Sequence, residues 1–88
     1  MKILIDRSFE RDVKRLPQPI QVKIKSLIDA ILLASNRSTL QATKMEGAKN
    51  AYRIRVGDFR IGFYIEDEVI IFSRALNRKE IYRYFPKK

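Results

Sequence analysis

The chain has 88 residues, which is enough for one domain spanning 1–88 and too few for two separate hydrophobic cores. It contains neither cysteine nor histidine, which excludes disulfides, thiolate zinc sites, Ser-His-Asp or Cys-His catalytic groups and histidine acid–base chemistry. Metal ligation would rest on carboxylates alone, and we expect no cofactor and no metal ion. Lysine and arginine number 19 against 10 acidic residues, and a net charge of +9 on a chain that is 45% hydrophobic predicts a folded domain with an anionic partner.

The first elements along the chain are predicted to be a short strand and a helix. Lys2–Asp6 contains a run of β-prone aliphatic residues, and Asp6 or Ser8 is suited to cap the helix that follows. Apolar residues then recur at helical spacing, at Phe9, Val13 and Leu16. Pro17 is expected to end this helix, and Pro19 suits the first turn of a second one.

A second and longer helix is predicted to end near Ser35. Its apolar residues form one wide face, at Ile20, Ile24, Leu27, Ile28, Ile31 and Leu32. Two adjacent helices separated by a proline are typical of a helical hairpin. The longest unbroken apolar run, Ala30–Ala34, is far too short to span a membrane, so we expect no membrane partner and a cytoplasmic location.

The second half of the chain is predicted to form a three-stranded meander. Asn36–Asn50 is polar and irregular, with Gly47 as a turn residue, and from Ala51 the hydrophobic period changes to two. The predicted strands are Tyr52–Val56, Phe59–Ile65 and Val69–Ala75, and a short helix within Asn77–Phe85 follows them. The order β-α-α-β-β-β-α predicts an α+β domain in which a helical hairpin packs on a small antiparallel meander sheet, with a short C-terminal helix.

Gly57 and Asp58 are predicted to form a two-residue turn, which fixes the register of the first two meander strands. The predicted cross-strand partners are Val56 with Phe59, Arg55 with Arg60, Ile54 with Ile61, and Arg53 with Gly62. Strand parity then places Arg53, Arg55 and Arg60 on one face and the aliphatic residues on the other. Because like charges directly opposite each other destabilise a strand pair, either an anion such as phosphate or carboxylate side chains are expected between the arginines.

Further basic residues lie on the third strand and in the C-terminal segment. A three-residue loop at 66–68 would bring Arg74 opposite Arg60, whereas a two-residue loop would turn Arg74 to the other face. We favour the three-residue loop, because Arg74 would otherwise lie among apolar partners. The C-terminal segment adds Arg78, Lys79, Arg83, Lys87 and Lys88. Tyr82 and Tyr84 alternate with them, and since residues two apart on a helix point to different sides, at most one tyrosine is expected in a site.

Two stretches together resemble the toxins of the RelE/ParE superfamily. The first is Tyr52–Gly62, YRIRVGDFRIG, and the second is Phe72–Pro86, FSRALNRKEIYRYFP. The opening segment Asp6–Leu16 and the short Lys44–Gly47 fit the same pattern, so the resemblance extends over essentially the whole chain. It implies a toxin of a type II toxin–antitoxin pair, with an acidic cognate antitoxin as partner in a hetero-oligomer.

The resemblance also implies a site. RelE-like members cut messenger RNA in the ribosomal decoding site, and carrying their functional residues over gives the catalytic candidates Arg53, Arg55, Arg60, Arg78 and Tyr84. The additional RNA-binding candidates are Arg74, Lys79, Arg83 and Lys87. ParE-like members instead poison DNA gyrase, so a gyrase inhibitor stays open as an alternative to an RNA-cleaving enzyme. A third alternative is a nucleic-acid-binding relative without catalysis.

Two positions depart from the nuclease branch of this superfamily. The strand positions are arginine here, where the best-understood nuclease has lysine, and many relatives have histidine where this chain has Asn77. Arginine stays protonated and therefore binds phosphate but is a poor proton acceptor, and asparagine exchanges no proton. The titratable candidates for proton transfer are then Lys79, Asp58 and Tyr84.

Overall fold

A computed structural model of the chain describes residues 2–34 and 42–86. Its elements in chain order are β1 (Lys2–Ile5), α1 (Arg7–Lys14), α2 (Gln18–Ala34), β2 (Thr43–Lys44), β3 (Ala51–Val56), β4 (Phe59–Glu66), β5 (Val69–Asn77) and α3 (Ile81–Tyr84). The predicted α+β fold, with its helical hairpin, central meander and short C-terminal helix, is confirmed. Strand β2 was not predicted, because two residues in a polar stretch carry no detectable periodicity.

The strands form one five-stranded sheet in the order β1-β5-β4-β3-β2. Strands β3, β4 and β5 are the predicted antiparallel meander, and β2 adds antiparallel to the free edge of β3. Strand β1 pairs parallel with the first half of β5, from Lys2 opposite Val69 to Ile5 opposite Phe72. The second half of β5 therefore has no strand beside it on that edge.

The inner face of the sheet carries the main hydrophobic core, beneath the helical hairpin. Its buried residues alternate along the strands and recur at helical spacing on α1 and α2. They are Phe9, Ile24, Ile31, Ile54, Val56, Ile61, Phe63, Ile70, Phe72 and Ala75. Asp6 occupies the N-cap position of α1 without a side-chain hydrogen bond to the helix. Ser8 instead donates from Oγ to the carbonyl oxygen of Ser73 at 2.7 Å, which ties the start of α1 to the sheet.

A second, smaller apolar cluster lies on the outer face of the sheet. It is formed by Met45, Ala51, Ile81 and Phe85, with Ala48, Tyr64 and Leu76 packed against it. This cluster attaches α3 and the loop after β2 to the sheet. The Phe85 ring lies directly on Gly62, since a Cβ atom at that position would come within 2.5 Å of the ring. Glycine is therefore required at position 62 for the C-terminal segment to pack against the sheet.

The predicted three-residue loop between β4 and β5 is wrong. Asp67 and Glu68 form a two-residue turn, with Glu66 opposite Val69, and Asp67 takes a positive φ of 54°. The register then shifts between Gly62 and Phe63, which leaves Ser73 as an extra residue in β5. This bulge restores the parity that the shorter turn removes, so Arg74 reaches the predicted outer face, although its partner across the strands is Gly62 and not Arg60.

The C-terminal helix is shorter than the predicted segment Asn77–Phe85. Strand β5 continues to Asn77, which pairs with Phe59, and the helix begins only at Ile81. The Asn77 side chain accepts a hydrogen bond from the backbone N–H of Lys79 at 2.9 Å, so this residue forms the turn between strand and helix. Within the described residues, neither α1 nor α2 is long and apolar enough to cross a membrane, and α3 is a single turn.

Candidate functional site

The hairpin of β3 and β4 places three arginines on the outer face of the sheet. Gly57 begins the turn with a φ of +61°, and the four predicted cross-strand pairs are all present. Arg55 lies directly opposite Arg60, and Arg53 lies opposite Gly62 on the same face. The sequence prediction of this register and of the shared face is therefore confirmed.

Arg78 joins these three residues from the turn after β5. Its backbone N–H donates to the carbonyl oxygen of Asp58 at 2.9 Å, which holds the residue beside the hairpin turn. Partial burial, followed by the charges of Arg55, Arg53 and Arg78, lowers the pKa of Arg60, and Asp58 opposes this shift. We call Arg53, Arg55, Arg60 and Arg78 the arginine cluster. Its mutual repulsion would be relieved by a bound anion.

Arg60 is oriented by the turn that precedes it. Its Nη1 donates to the carbonyl oxygens of Gly57 at 3.1 Å and of Phe59 at 3.0 Å. These bonds use one nitrogen and leave the other donors of the guanidinium for a ligand. Beside it, an open polar depression is lined by Thr43, Arg53, Arg55 and Arg60. Thr43 comes from β2, pairs with Arg53, and was not a candidate from the sequence.

The two tyrosines of α3 point to different sides, as predicted. The ring of Tyr82 lies 5.1 Å from the guanidinium carbon of Arg53, within range for a cation–π contact, and the residue is 56% exposed. The ring of Tyr84 lies 5.3 Å from the guanidinium carbon of Arg74. The structure therefore brings Tyr82 to the arginine cluster and places Tyr84, the tyrosine chosen from the sequence, over Arg74.

Arg74 is engaged by a buried carboxylate. Its Nε donates to Oδ2 of Asp12 at 2.7 Å and its Nη2 donates to Oδ1 at 3.2 Å. Asp12 also accepts the backbone N–H of Ala75 at 3.0 Å, on the part of the β5 edge that β1 does not cover. Because Asp12 neutralises the charge of Arg74, the proposed extension of the phosphate-binding face to Arg74 loses its support. Its position on the outer face is as predicted.

The remaining basic candidates lie around the cluster. Lys79 and Arg83 are exposed, in the turn after β5 and on α3, and Lys87 lies outside the described residues. Residues 2–34 and 42–86 contain no group of three or more acidic side chains placed to hold a metal ion. The chemistry of the cluster is therefore that of arginine, which binds phosphate and stabilises negative charge.

Besides Thr43, two further residues of the site region were not predicted from the sequence, although the position of one of them gave an indication. Asp12 lies three residues after Phe9, on the buried side of α1. Because a buried carboxylate is rarely found without a paired charge, an acidic residue at this position indicates a buried ion pair. Glu46 lines a depression together with Arg53 and Tyr82. Glu46 lies within Lys44–Gly47, which fits the family pattern, but its residue type and surroundings alone do not distinguish it from an ordinary surface residue.

Comparisons with known proteins agree with this geometry. The family model described as the ParE toxin of a type II toxin–antitoxin system matches residues 3–82. Toxin RelE3 of Methanocaldococcus jannaschii is 42% identical over 88 residues, covering 98% of this chain and all of that protein. The toxin in a crystal structure of a RelB–RelE antitoxin–toxin complex from Methanococcus jannaschii superimposes with a TM-score of 0.81 at 39% identity, over 94% of this chain and 99% of that one. The isolated RelE toxin of E. coli has a TM-score of 0.68 at 16% identity, over 93% of this chain and 90% of that one, and shares the fold.

Proposed function

This chain belongs to the RelE/ParE superfamily of toxins of type II toxin–antitoxin systems, and from that premise we propose that it inhibits translation by cutting messenger RNA on the ribosome. The observation that carries the proposal is the arginine cluster with the Tyr82 ring beside it. These groups suit the binding of single-stranded RNA. The four permanently charged guanidinium groups can bind phosphates, and the exposed aromatic ring can stack on a base. The site of action is then the cytoplasm, where ribosomes work.

The reaction consistent with this site is attack of a ribose 2′-oxygen on the adjacent phosphorus. The bond from phosphorus to the 5′-oxygen of the next nucleotide breaks, one proton leaves the 2′-hydroxyl, and one proton reaches the 5′-oxygen. Arg60, Arg55 and Arg53 would hold the phosphate and stabilise its developing charge, which is usually the largest contribution to catalysis. Positioning of the strand by the ribosome would supply a further part.

Within this site the geometry favours Tyr82 over Tyr84 as the functional tyrosine. Tyr82 is in contact with Arg53 of the cluster, whereas Tyr84 lies over Arg74, whose charge Asp12 neutralises. The Tyr82 hydroxyl would orient the 2′-hydroxyl, and its ring would stack on the neighbouring base. Tyr84, which the sequence comparison with the nuclease branch indicated, would instead attach α3 to the sheet.

An acidic antitoxin would bind this chain and neutralise it while the cell grows. The net charge of +9 provides an electrostatic target for such a chain, and a partly disordered acidic chain can cover a small domain widely. Two solved relatives are complexes of RelE with the antitoxin RelB. We expect the antitoxin to cover the arginine cluster or to displace α3. A non-toxic complex in which the arginine cluster stays exposed to solvent would contradict this expectation.

A second candidate function is inhibition of DNA gyrase without RNA cleavage. The observation in its favour is that the matching family model is that of ParE toxins. The relatives at 42% and 30% identity carry RelE names, which favours the nuclease. The two functions differ in what appears in the cell, because one produces cut messengers and the other produces damaged DNA.

The test is brief induction in bacteria, with messenger 5′ ends mapped by primer extension and a reporter of DNA damage read in parallel. Wild-type protein should give new 5′ ends within translated regions and no damage signal. Tyr82→Phe should reduce cleavage by about tenfold or more if its hydroxyl orients the nucleophile, whereas the matched change Tyr84→Phe should leave cleavage unchanged. Damage signalling without new 5′ ends would refute the nuclease and support the gyrase reading.

A further inference from the structure

A second depression adjoins the arginine cluster, between β2 and the C-terminal segment. Its volume is about 380 Å³, and its lining combines the charged residues Lys44, Glu46 and Arg53 with Met45, Tyr82, Phe85 and Pro86. Arg53 lines this depression and also the polar one formed with Thr43, Arg55 and Arg60. One guanidinium group therefore separates a highly basic depression from one whose walls are partly apolar and aromatic and partly charged.

The second depression has a buried apolar floor and one exposed aromatic wall. Met45 and Phe85 are buried in the small outer cluster, 7% and 1% exposed, and Phe85 is packed on Gly62. Tyr82 is 56% exposed, and its ring is placed by its contact with Arg53. A flat ligand placed in this depression would contact a preformed apolar surface and an aromatic face at little entropic cost.

A nucleotide has the same two-part character as these adjoining depressions. Its phosphate is an anion, and its base is a flat ring that lies one ribose away. A phosphate held by Arg55 and Arg60 would leave the attached base near Arg53, from where it can enter the second depression and stack on Tyr82.

The carboxylate of Glu46 gives this depression a means of discriminating between bases. An ionised carboxylate only accepts hydrogen bonds. Adenine, cytosine and guanine each present an exocyclic amino group that donates, whereas uracil presents carbonyl oxygens flanking a single N–H. A carboxylate beside the Watson–Crick edge therefore favours the three amino-bearing bases and repels the carbonyls of uracil. Lys44 and Arg53 line the same depression and donate to carbonyl oxygens, which cytosine and guanine also carry, so the preference for an amino group depends on Glu46.

We propose that this depression is a base pocket, which binds a nucleobase carrying an exocyclic amino group next to the phosphate held by the arginine cluster. The proposal rests on the proposed function, because it assumes an RNA substrate. It adds the chemical class of the base and assigns Glu46 as the residue that reads it. Cytosine and uracil are the sharpest ligand pair for testing it, since they have the same ring size and differ at the group that Glu46 would contact.

The first test is an NMR titration of the free chain with cytidine monophosphate, uridine monophosphate and ribose 5-phosphate. Guanidinium signals of the cluster should respond to all three ligands, and the Met45 methyl signal should respond to cytidine monophosphate. Cytidine monophosphate should bind about fivefold or more tightly than ribose 5-phosphate, the minimum expected for one stacked base, and more tightly than uridine monophosphate. In Glu46→Gln the preference for cytosine over uracil should disappear, because an amide both donates and accepts.

The outcomes separate this proposal from the proposed function. Guanidinium signals that respond equally to all three ligands, with the Met45 methyl signal unchanged, would overturn the base pocket and leave the phosphate site standing. Equal affinity for cytidine and uridine monophosphates would overturn the role of Glu46. Guanidinium signals that respond to none of the ligands would overturn the phosphate site on which both proposals depend.

The second test reads the same preference from cut messengers. Base frequencies flanking the mapped 5′ ends should show depletion of uracil at one fixed position for the wild-type protein. Glu46→Gln should raise cuts with uracil at that position by about fivefold. Glu10→Gln is the matched control, since it makes the same chemical change on the exposed side of α1, under the opposite face of the sheet. Unchanged base frequencies in Glu46→Gln, with wild-type cleavage present, would refute the pocket.

Discussion

Asp12 is predicted to contribute more to the stability of this domain than any exposed acidic residue. It is 6% exposed, and it accepts hydrogen bonds from two guanidinium nitrogens of Arg74 and from the backbone N–H of Ala75. The Ala75 bond occupies the edge of β5 just beyond the end of β1, where no strand is present. Asp12 thus replaces a missing strand partner and neutralises a guanidinium group that is itself 24% exposed.

The expected magnitudes follow from which bonds each substitution removes. Asp12→Ala removes all three and leaves a half-buried guanidinium unpaired, so we expect the free energy of unfolding to fall by about 3–5 kcal/mol. Asp12→Asn keeps an oxygen acceptor and loses the charge, and should cost about 1–3 kcal/mol. A domain of this length has about 4–13 kcal/mol of stability in total, so the alanine variant should be near the limit of folding.

Urea denaturation followed by circular dichroism measures these changes, and the melting temperature should fall by about 4–8 °C for each kcal/mol lost. The matched control is Asp29→Asn, which makes the same substitution at an exposed position of α2. The double variant Asp12→Asn with Arg74→Gln should be more stable than the sum of the single losses implies, because the two groups are coupled. If Asp12→Asn has the same urea midpoint as the control, the pair behaves as a surface salt bridge and this reasoning is wrong.

Three further predictions concern the outer face of the sheet. Gly62→Ala should displace the Phe85 ring, lower stability by about 1–3 kcal/mol and reduce messenger cleavage, and the smaller side chain in Phe85→Leu should restore part of the stability when urea midpoints are compared. Arg60→Ala removes the repulsion with Arg55 but also loses two hydrogen bonds to the turn, so the free energy of unfolding should change by less than about 0.5 kcal/mol. Messenger cleavage should fall about a hundredfold, and unchanged cleavage would show that Arg60 is not part of the site. The affinity for single-stranded RNA should fall with a slope of log K against log salt near −0.7 per phosphate contact, and Arg55→Ala should reduce the slope by about 0.7, whereas an unchanged slope would exclude that contact.

The register of the arginine hairpin could be predicted because local rules determine it completely. A glycine at the first turn position, a two-residue turn and strict alternation leave one pairing, and that pairing places Arg55 opposite Arg60. The helical hairpin was equally accessible, since Pro17 and Pro19 separate two apolar periodicities. Both features are determined by residues close together in the sequence, so they can be predicted without knowing how the other segments pack.

The features that could not be predicted depend on contacts between distant segments. The bulge at Ser73 compensates a turn that is one residue shorter than predicted, and no residue type at that position indicates it. The pairing of Arg74 with Asp12 joins residues 62 positions apart, so strand parity could assign the arginine a face but not a partner. The choice between Tyr82 and Tyr84 has the same origin, because it depends on how the C-terminal segment lies across the sheet.

That arrangement can be followed along one row of the sheet, where Gly62 lies between Arg53 on β3 and Arg74 on β5. Each of the three positions contacts one aromatic ring of the C-terminal segment. The contacts are Tyr82 on Arg53, Phe85 on Gly62 and Tyr84 on Arg74.

The two ring-on-arginine contacts of this row differ in their electrostatics. Asp12 neutralises Arg74, whereas the charge of Arg53 is among those that lower the pKa of Arg60 in the arginine cluster, where we propose that an anion binds. Packing of Phe85 on the central glycine fixes the distance between the two contacts. The position of Tyr82 at the proposed site therefore depends on its own contact with Arg53 and on the packing of Phe85 against Gly62.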